Sequence, residues 1–355
     1  MSDDKTLEDF DQLHGVKFWQ KRLEVEVSAL KKENKELRDQ LLNESGLRGI
    51  LSSAAEVDLN FTPDWATRKA GLRTRGAPCL FLSDIHGDEF IDPAQVGGLN
   101  AYGREIMDKR LEYLFDKSVH IFKSLPGADY KGAYILLGGD NVPGYIHEEL
   151  RQSSEAPVLV SVLHLAEKLG QGIKYYADNF SEVVVCCVVG NHGRIDRKPR
   201  KKNKVHDNFD WLLYRILANG FRDDPRVVFK IPLSADCSEV VYGQRFLLTH
   251  GDQFRGGSGI SGFHTPLELG AARKQRRHVS IDEPFQVLIC GHFHQEIQTA
   301  HKMVNGSLSG YDEFAFDCNF PYDRPKQLTW VFHPEHGLIH RNAILVDSYK
   351  GGRKF

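Results

Sequence analysis

The stretch Ala77–Asp88, APCLFLSDIHGD, decides how the chain is read. A run of apolar residues stops abruptly at Asp84, and His86 follows after one spacer. Short apolar runs of this kind mark strands buried on both faces of a parallel sheet. Ligands gather just beyond the carboxyl ends of such strands. An Asp and a His two apart in that position make half of a metal site. Alone the pair proves little, and its weight depends on whether other strands end the same way.

Four others do. AYILLGGDN (133–141) stops at Asp140, EVVVCCVVGNHGR (182–194) at Asn191 and His192, QRFLLTHGD (244–252) at His250, and FQVLICGHFH (285–294) at His292 and His294. Five apolar strands thus each end in a potential ligand, a coincidence too improbable for chance. Gly87, Gly139, Gly190, Gly251 and Gly291 stand beside them, where glycine permits tight turns and close approach of a ligand to the backbone. Between the strands, helical spacing predicts helices over 102–123, 157–169 and 208–218. LTWVFHPEHGLIHRNAILVD (328–347) predicts a hairpin turning near 334–337. VNGSLSGYDEF (304–314) reads as a strand and loop closing over the site.

The ordered series D-x-H, G-D-N, G-N-H, H-G-D and G-H-x-H, spanning 79–310, resembles the calcineurin-like metallophosphoesterase superfamily. VVGNHGR, LLTHGDQFRGG and VNGSLSGYDEFA are similar to phage-encoded phosphoesterases. The resemblance implies an α/β fold, a four-layer αββα sandwich of two mixed β-sheets flanked by helices. It implies one metal on Asp84, His86 and His294, a second on Asn191, His250 and His292, and Asp140 bridging them. A donor set of oxygen and imidazole without thiolate suits two divalent ions, Mn²⁺ first, with Fe²⁺, Ni²⁺ or Zn²⁺ as alternatives. Two ions about 3.5–4 Å apart can activate a bridging hydroxide and clamp phosphoryl oxygens for in-line displacement. Beside the catalytic Asp140, His192 is placed to assist the leaving alkoxide, imidazole titrating in the right range. Relatives often carry an acidic residue straight after G-N-H, whereas this chain has Gly193. Asp88, Asp252 or Glu296 are the candidates to supply the missing carboxylate.

Two basic clusters follow the metal motifs. RIDRKPRKKNK (194–204) offers Arg194, Arg200, Lys201 and Lys202 as contacts to substrate phosphate, and ARKQRRH (272–278) follows a glycine-rich loop. Positive grooves track nucleic-acid backbones, and Phe209, Trp211, Phe254 and Phe263 lie close enough in sequence to stack bases. The expectation is a phosphodiesterase or nuclease acting on DNA or RNA. The alternatives are an enzyme for small nucleotides or phosphoproteins, or a non-catalytic assembly factor with a relict site.

Leu23, Val27, Leu30, Asn34, Leu37 and Leu41 form a heptad seam with Glu26 and Glu33 at g and Lys31 and Arg38 at e. That pattern predicts a parallel coiled-coil homodimer through 23–41. The expected organisation is a helical segment over 1–46, a linker with a short helix over 47–76, the catalytic domain over 77–347 and a polar tail over 348–355. With 355 residues, 41% hydrophobic and 26% charged, the chain reads as soluble and globular. A net charge of −2 makes any electrostatic argument local. The longest apolar run, 183–189, is too short to span a bilayer, and the acidic N-terminus lacks a signal-peptide core. Six cysteines without a CxxC pattern suggest reduced thiols and a cytoplasmic location, the host cytoplasm if phage-encoded.

Overall fold

The computed structural model describes residues 21–34, 76–125, 130–255 and 262–347. The chain divides into two compact units, Met1–Glu56 and Val57–Phe355. In the first, residues 21–34 form a helix, α1, in which Leu23, Val27 and Leu30 are exposed. The second half of the heptad seam, the linker over 47–75 and the tail over 348–355 lie outside the described residues.

The second unit is mixed α/β with two mixed sheets. One sheet has the order β11-β10-β1-β2-β3-β4, from β1 (Ala77–Leu82), β2 (Gly132–Leu137), β3 (Glu182–Cys187), β4 (Val227–Lys230), β10 (Lys326–His333) and β11 (Gly337–Leu345). Strands β1 to β4 are parallel neighbours, and β10 joins β1 antiparallel. The other sheet has the order β5-β6-β7-β9-β8, from β5 (Asp236–Val241), β6 (Gln244–Thr249), β7 (Val287–Cys290), β8 (Ile297–Gln298) and β9 (Lys302–Val304). Here β6, β7 and β9 are parallel, while β5 and β8 run antiparallel at the edges. The helices are α2 (Arg104–Ser124), α3 (Glu148–Ser153), α4 (Val158–Phe180), α5 (Phe209–Gly220), α6 (His264–Val279) and α7 (Glu313–Asp317).

Every residue of β1 and β2 is buried, which is why both read as unbroken apolar runs. The period of two sorts their side chains into two cores. Leu80, Leu82, Ile135 and Leu137 pack with Leu114, Phe115, Leu165, Ile173 and Leu213 of α2, α4 and α5. Cys79, Phe81, Tyr134 and Leu136 pack instead with Phe246, Leu248 and Ile289 of the second sheet. The opposite side of that sheet, through Leu247, Leu288 and Cys290, meets Leu267 of α6.

Several expectations are corrected by this packing. Helix α4 runs to Phe180, well beyond the expected end at 169. Gly170 and Gly172 broke the apolar period, but a Cβ at Gly172 would stand 2.2 Å from the Phe115 ring. That glycine marks the closest approach of two packed helices, not a helix end. Strands β4 and β5 escaped the sequence reading because they alternate half-buried positions with buried ones in short edge segments. ARKQRRH lies within α6, where Lys274 is buried and ion-paired to Asp236 at 2.5 Å.

Candidate metal centre

Parallel register brings the strand ends level. Leu82 pairs with Leu137 and Leu137 with Cys187, so β1, β2 and β3 stop side by side. Thr249 pairs with Cys290 in the other sheet. The loops that follow carry Asp84 and His86, Asp140, Asn191 and His192, His250, and His292 and His294. All seven expected ligands converge at this one edge of the two sheets.

Asp84, His86 and His294 form one set of donors and Asp140, His250 and His292 another, each with its ligand atoms within 4.8 Å of one another. Asp140 Oδ2 lies 2.8 Å from His250 Nε2, and Asn191 Oδ1 lies 3.2 Å from the same nitrogen. His250 Nδ1 donates to the Gly138 carbonyl at 2.8 Å, which turns Nε2 toward the site. Asp84 is held by the backbone N–H of His292 at 3.1 Å, and its Oδ1 lies 3.4 Å from His294 Nε2. Asp140 shares a third set with His86 and His192, and the His192 backbone N–H donates to its Oδ1 at 2.7 Å.

Three observations fit divalent cations here. Both ring nitrogens of His86 are buried without a hydrogen-bond partner. Leaving such a group unsatisfied costs about 1–3 kcal/mol, a cost that a coordinated ion removes at the nitrogen it binds. Asp84, His86, Asp140, His292 and His294 all adopt left-handed backbone, with φ of 52°, 49°, 52°, 73° and 54°. Strain of about 1–3 kcal/mol per residue persists where function requires the geometry. Finally, a Cβ at Gly190 would stand 2.0 Å from Asp140 Oδ1 and one at Gly291 2.3 Å from Asp84 Oδ2, so the two glycines give the carboxylates their room.

Without cations the acids and imidazoles neutralise one another. Burial opposes charge on His250, but the Asp140 carboxylate overcomes it and raises the imidazole to about 10. Burial likewise opposes charge on His294, which Asp84 raises to about 9. His292, buried and beside His250, falls to about 4. Burial pushes His86 well below its ordinary range, and His192 and His294 add to that.

His192 stands at the rim. Its ring centroid is 4.7 Å from that of His86 and 5.5 Å from that of His147, and Nδ1 lies 3.3 Å from the Pro143 carbonyl. A cleft of about 540 Å³ opens from Asn191 and His292 along Lys198, Arg200, Lys201 and Lys202. Arg194 also lines it, with Nε, Nη1 and Nη2 donating to the carbonyls of Asp196, Asn191 and Arg197 at 3.0 Å, so it templates the basic loop. Arg200 pairs with Asp196 at 2.8 Å. The second basic cluster does not line this cleft. Phe209 and Phe254 are buried in the core and Trp211 packs against His206, while half-buried Phe263 stacks on Phe293 at 4.8 Å.

Of the three carboxylates expected to replace the one missing after Gly-Asn-His, Asp88 and Glu296 are engaged by other cations, while Asp252 also favours the charged forms of His250 and His292. Asp88 binds Arg104 through both oxygens at 2.6 Å, Asp252 binds Lys204 at 2.6 Å, and Glu296 sits 3.2 Å from Lys326. Two others stand against the centre. Glu89 Oε2 lies 3.2 Å from His86 Nδ1, off the line a hydrogen bond requires. Asp210, from the first turn of α5, reaches the loops after β2 and β3. The sequence signal for Asp210 was its place two residues after the Asn208 helix cap, which aims the first turn of α5 at the strand ends.

No family model matches the chain, and no curated protein does so at a significant level. Among solved structures, vacuolar protein sorting 29 from Cryptosporidium parvum is 13% identical, with 76% of this chain and 97% of that one covered, at a TM-score of 0.30. Wild-type Vps29 from Entamoeba histolytica, complexed with zinc, is 12% identical, with 76% and 99% covered, at a TM-score of 0.28. Likeness at that level carries no argument about this chain.

Proposed function

We propose that this chain is a dinuclear, metal-dependent phosphodiesterase of the calcineurin-like kind, with a four-layer αββα catalytic domain, acting on nucleic acid. The observation that carries it is the junction of a metal-ligand cluster with a basic cleft: His292 belongs to both, and Asn191, which lines the cleft, lies 3.2 Å from His250 Nε2 of the cluster. Asp84, His86 and His294 would hold one ion and Asn191, His250 and His292 the other, with Asp140 between them. Such ions, when bound, lower the pKa of water and neutralise charge on a phosphoryl group. The residues of this chain supply the rest. Lys201 and Lys202 attract the flanking phosphates, and the Pro143 carbonyl orients the His192 ring; burial favours its neutral form, so the ring would first take up a proton at Nε2 and then pass it to the leaving oxygen. Mn²⁺ is the first choice of ion. The heptads of α1 would join two copies through 23–41. The similarity to phage-encoded phosphoesterases would put such an enzyme in a host cytoplasm.

The test is hydrolysis by the purified protein with Mn²⁺ of single- and double-stranded DNA, RNA, cyclic nucleotides and a phosphopeptide. Cleavage of a polynucleotide that weakens steeply with salt supports the reading, because each neutralised phosphate steepens the dependence by about 0.7–0.9 in log–log slope. Cleavage confined to cyclic nucleotides or phosphopeptide would replace it with a small-substrate enzyme. No cleavage of any kind would favour the assembly factor.

A further inference from the structure

We infer that Asp210 is the positioning carboxylate of the second metal site, supplied by helix α5 in place of the acidic residue missing after Gly-Asn-His. The inference rests on the dinuclear reading above.

Asp210 is fully buried, and its two oxygens accept four hydrogen bonds. Oδ2 takes the backbone N–H of Asp140 at 3.0 Å and that of Gly190 at 2.8 Å. Oδ1 takes the backbone N–H of Asn141 at 3.0 Å and its side-chain amide at 2.8 Å. One side chain therefore ties the loop after β2, which carries the bridging Asp140, to the loop after β3, which carries Asn191. The helix start is itself pinned there. Asn208 caps the Asp210 backbone N–H at 2.8 Å and donates its amide to the Gly190 carbonyl at 2.9 Å. The Tyr214 hydroxyl, one turn further along α5, donates to the Val188 carbonyl at 2.9 Å and accepts from Asn141 Nδ2 at 2.8 Å.

The same geometry explains Gly193. A Cβ there would stand 2.4 Å from Asn208 Oδ1 and 3.2 Å from Asp210 Cγ. The volume that a side chain after Gly-Asn-His would enter is filled by the α5 cap and its carboxylate.

Asp210→Asn tests the assignment, since the amide retains one oxygen and turns an NH₂ group toward two N–H donors. Titration calorimetry of the full chain with Mn²⁺ should give two ions for the native protein. In the variant the ion on Asn191, His250 and His292 should weaken about 10–100-fold, the range for loss of an orienting partner, and the other, which shares Asp140, should weaken less. The kcat for a chromogenic phosphodiester should fall with little change in KM. Unchanged affinity for both ions, or equal weakening of both, overturns the inference. A native protein that binds no Mn²⁺ instead overturns the dinuclear reading, so the two failures are distinct. Should Asp210→Asn not fold, Asn141→Ala removes one donor and keeps the carboxylate. Several-fold selective weakening of one ion then supports the role, and none overturns it.

Discussion

At the residue scale the site is built from compromises that make sense only together. Asp84 and Asp140 are acids fully buried among imidazoles, and five of the candidate ligands sit in backbone conformations that ordinarily cost energy. Replacing Asp84 or His250 by Ala should abolish Mn²⁺-dependent hydrolysis of a simple phosphodiester while circular dichroism stays native; retained activity would defeat the metal reading. The raised imidazoles give a second expectation. His250 and His294, raised to about 10 and about 9, are charged at neutral pH without metal, and ligation requires them neutral. Binding Mn²⁺ near pH 7 should therefore release about two protons, measured by calorimetry in buffers of different ionisation enthalpy. The sign for stability follows. Both imidazoles are raised above the ordinary histidine value of about 6.5, so their contribution to the metal-free fold is complete below that pH and is lost as pH climbs through 9 and 10. Thermal melts of the metal-free protein should show that decline, and Asp140→Asn should blunt it.

At the element scale, the contact of α2 with α4 sets two effects of opposite sign against each other. Gly172→Ala improves intrinsic helix propensity by about 1 kcal/mol. It also drives a methyl to 2.2 Å from the Phe115 ring, and overpacking of that kind costs about 1–3 kcal/mol. Net destabilisation is expected in a urea melt, with Mn²⁺ binding unchanged. A higher midpoint would show that the helices can part without penalty. The strands illustrate the reverse situation. β1, β2 and β3 are buried on both faces and were plain in sequence, whereas β4 and β5 were not, because half of their positions meet partial exposure. Legibility followed burial: where both faces must be apolar the composition declares the element, and where one face is free it does not.

At the scale of the whole molecule, the proposed partners are nucleic acid for the basic loop and a second copy of the chain for the heptads. Neutralising Arg200, Lys201 and Lys202 together should reduce cleavage of a polynucleotide more than cleavage of a small chromogenic ester. It should also flatten the salt dependence by about 0.7 in slope for each single-strand phosphate that the loop no longer neutralises. Equal effects on both substrates would point to a small-molecule substrate. Deleting residues 1–46 should halve the solution mass seen by light scattering if the seam of Leu23, Val27 and Leu30, exposed on α1, pairs two copies. A full-length protein that is monomeric at micromolar concentration removes that proposal.

The sequence by itself determined the candidate ligands and the elements that carry them. Apolar runs specify buried strands, and a parallel sheet necessarily puts the residues after those runs at one edge. Asp84, His86, Asp140, Asn191, His250, His292 and His294 were therefore legible from local pattern alone. Only the tertiary structure decided what stands behind them. Asp210 is 70 residues from Asp140 and 20 from Gly190 along the chain, and nothing in the spacing shows that it bonds both. Asp88 and Glu296, which stand near the motifs in sequence, are held by Arg104 and Lys326, and Asp252 by Lys204 of the basic loop. Sequence proximity was a poor guide because a buried carboxylate goes where donors converge, and that convergence is set by helix docking. The basic clusters divide for the same reason. RIDRKPRKKNK borders the cleft, while ARKQRRH spends Lys274 on holding α6 to β5. Charge was visible in the sequence; which charges face the site depended on the packing of one helix.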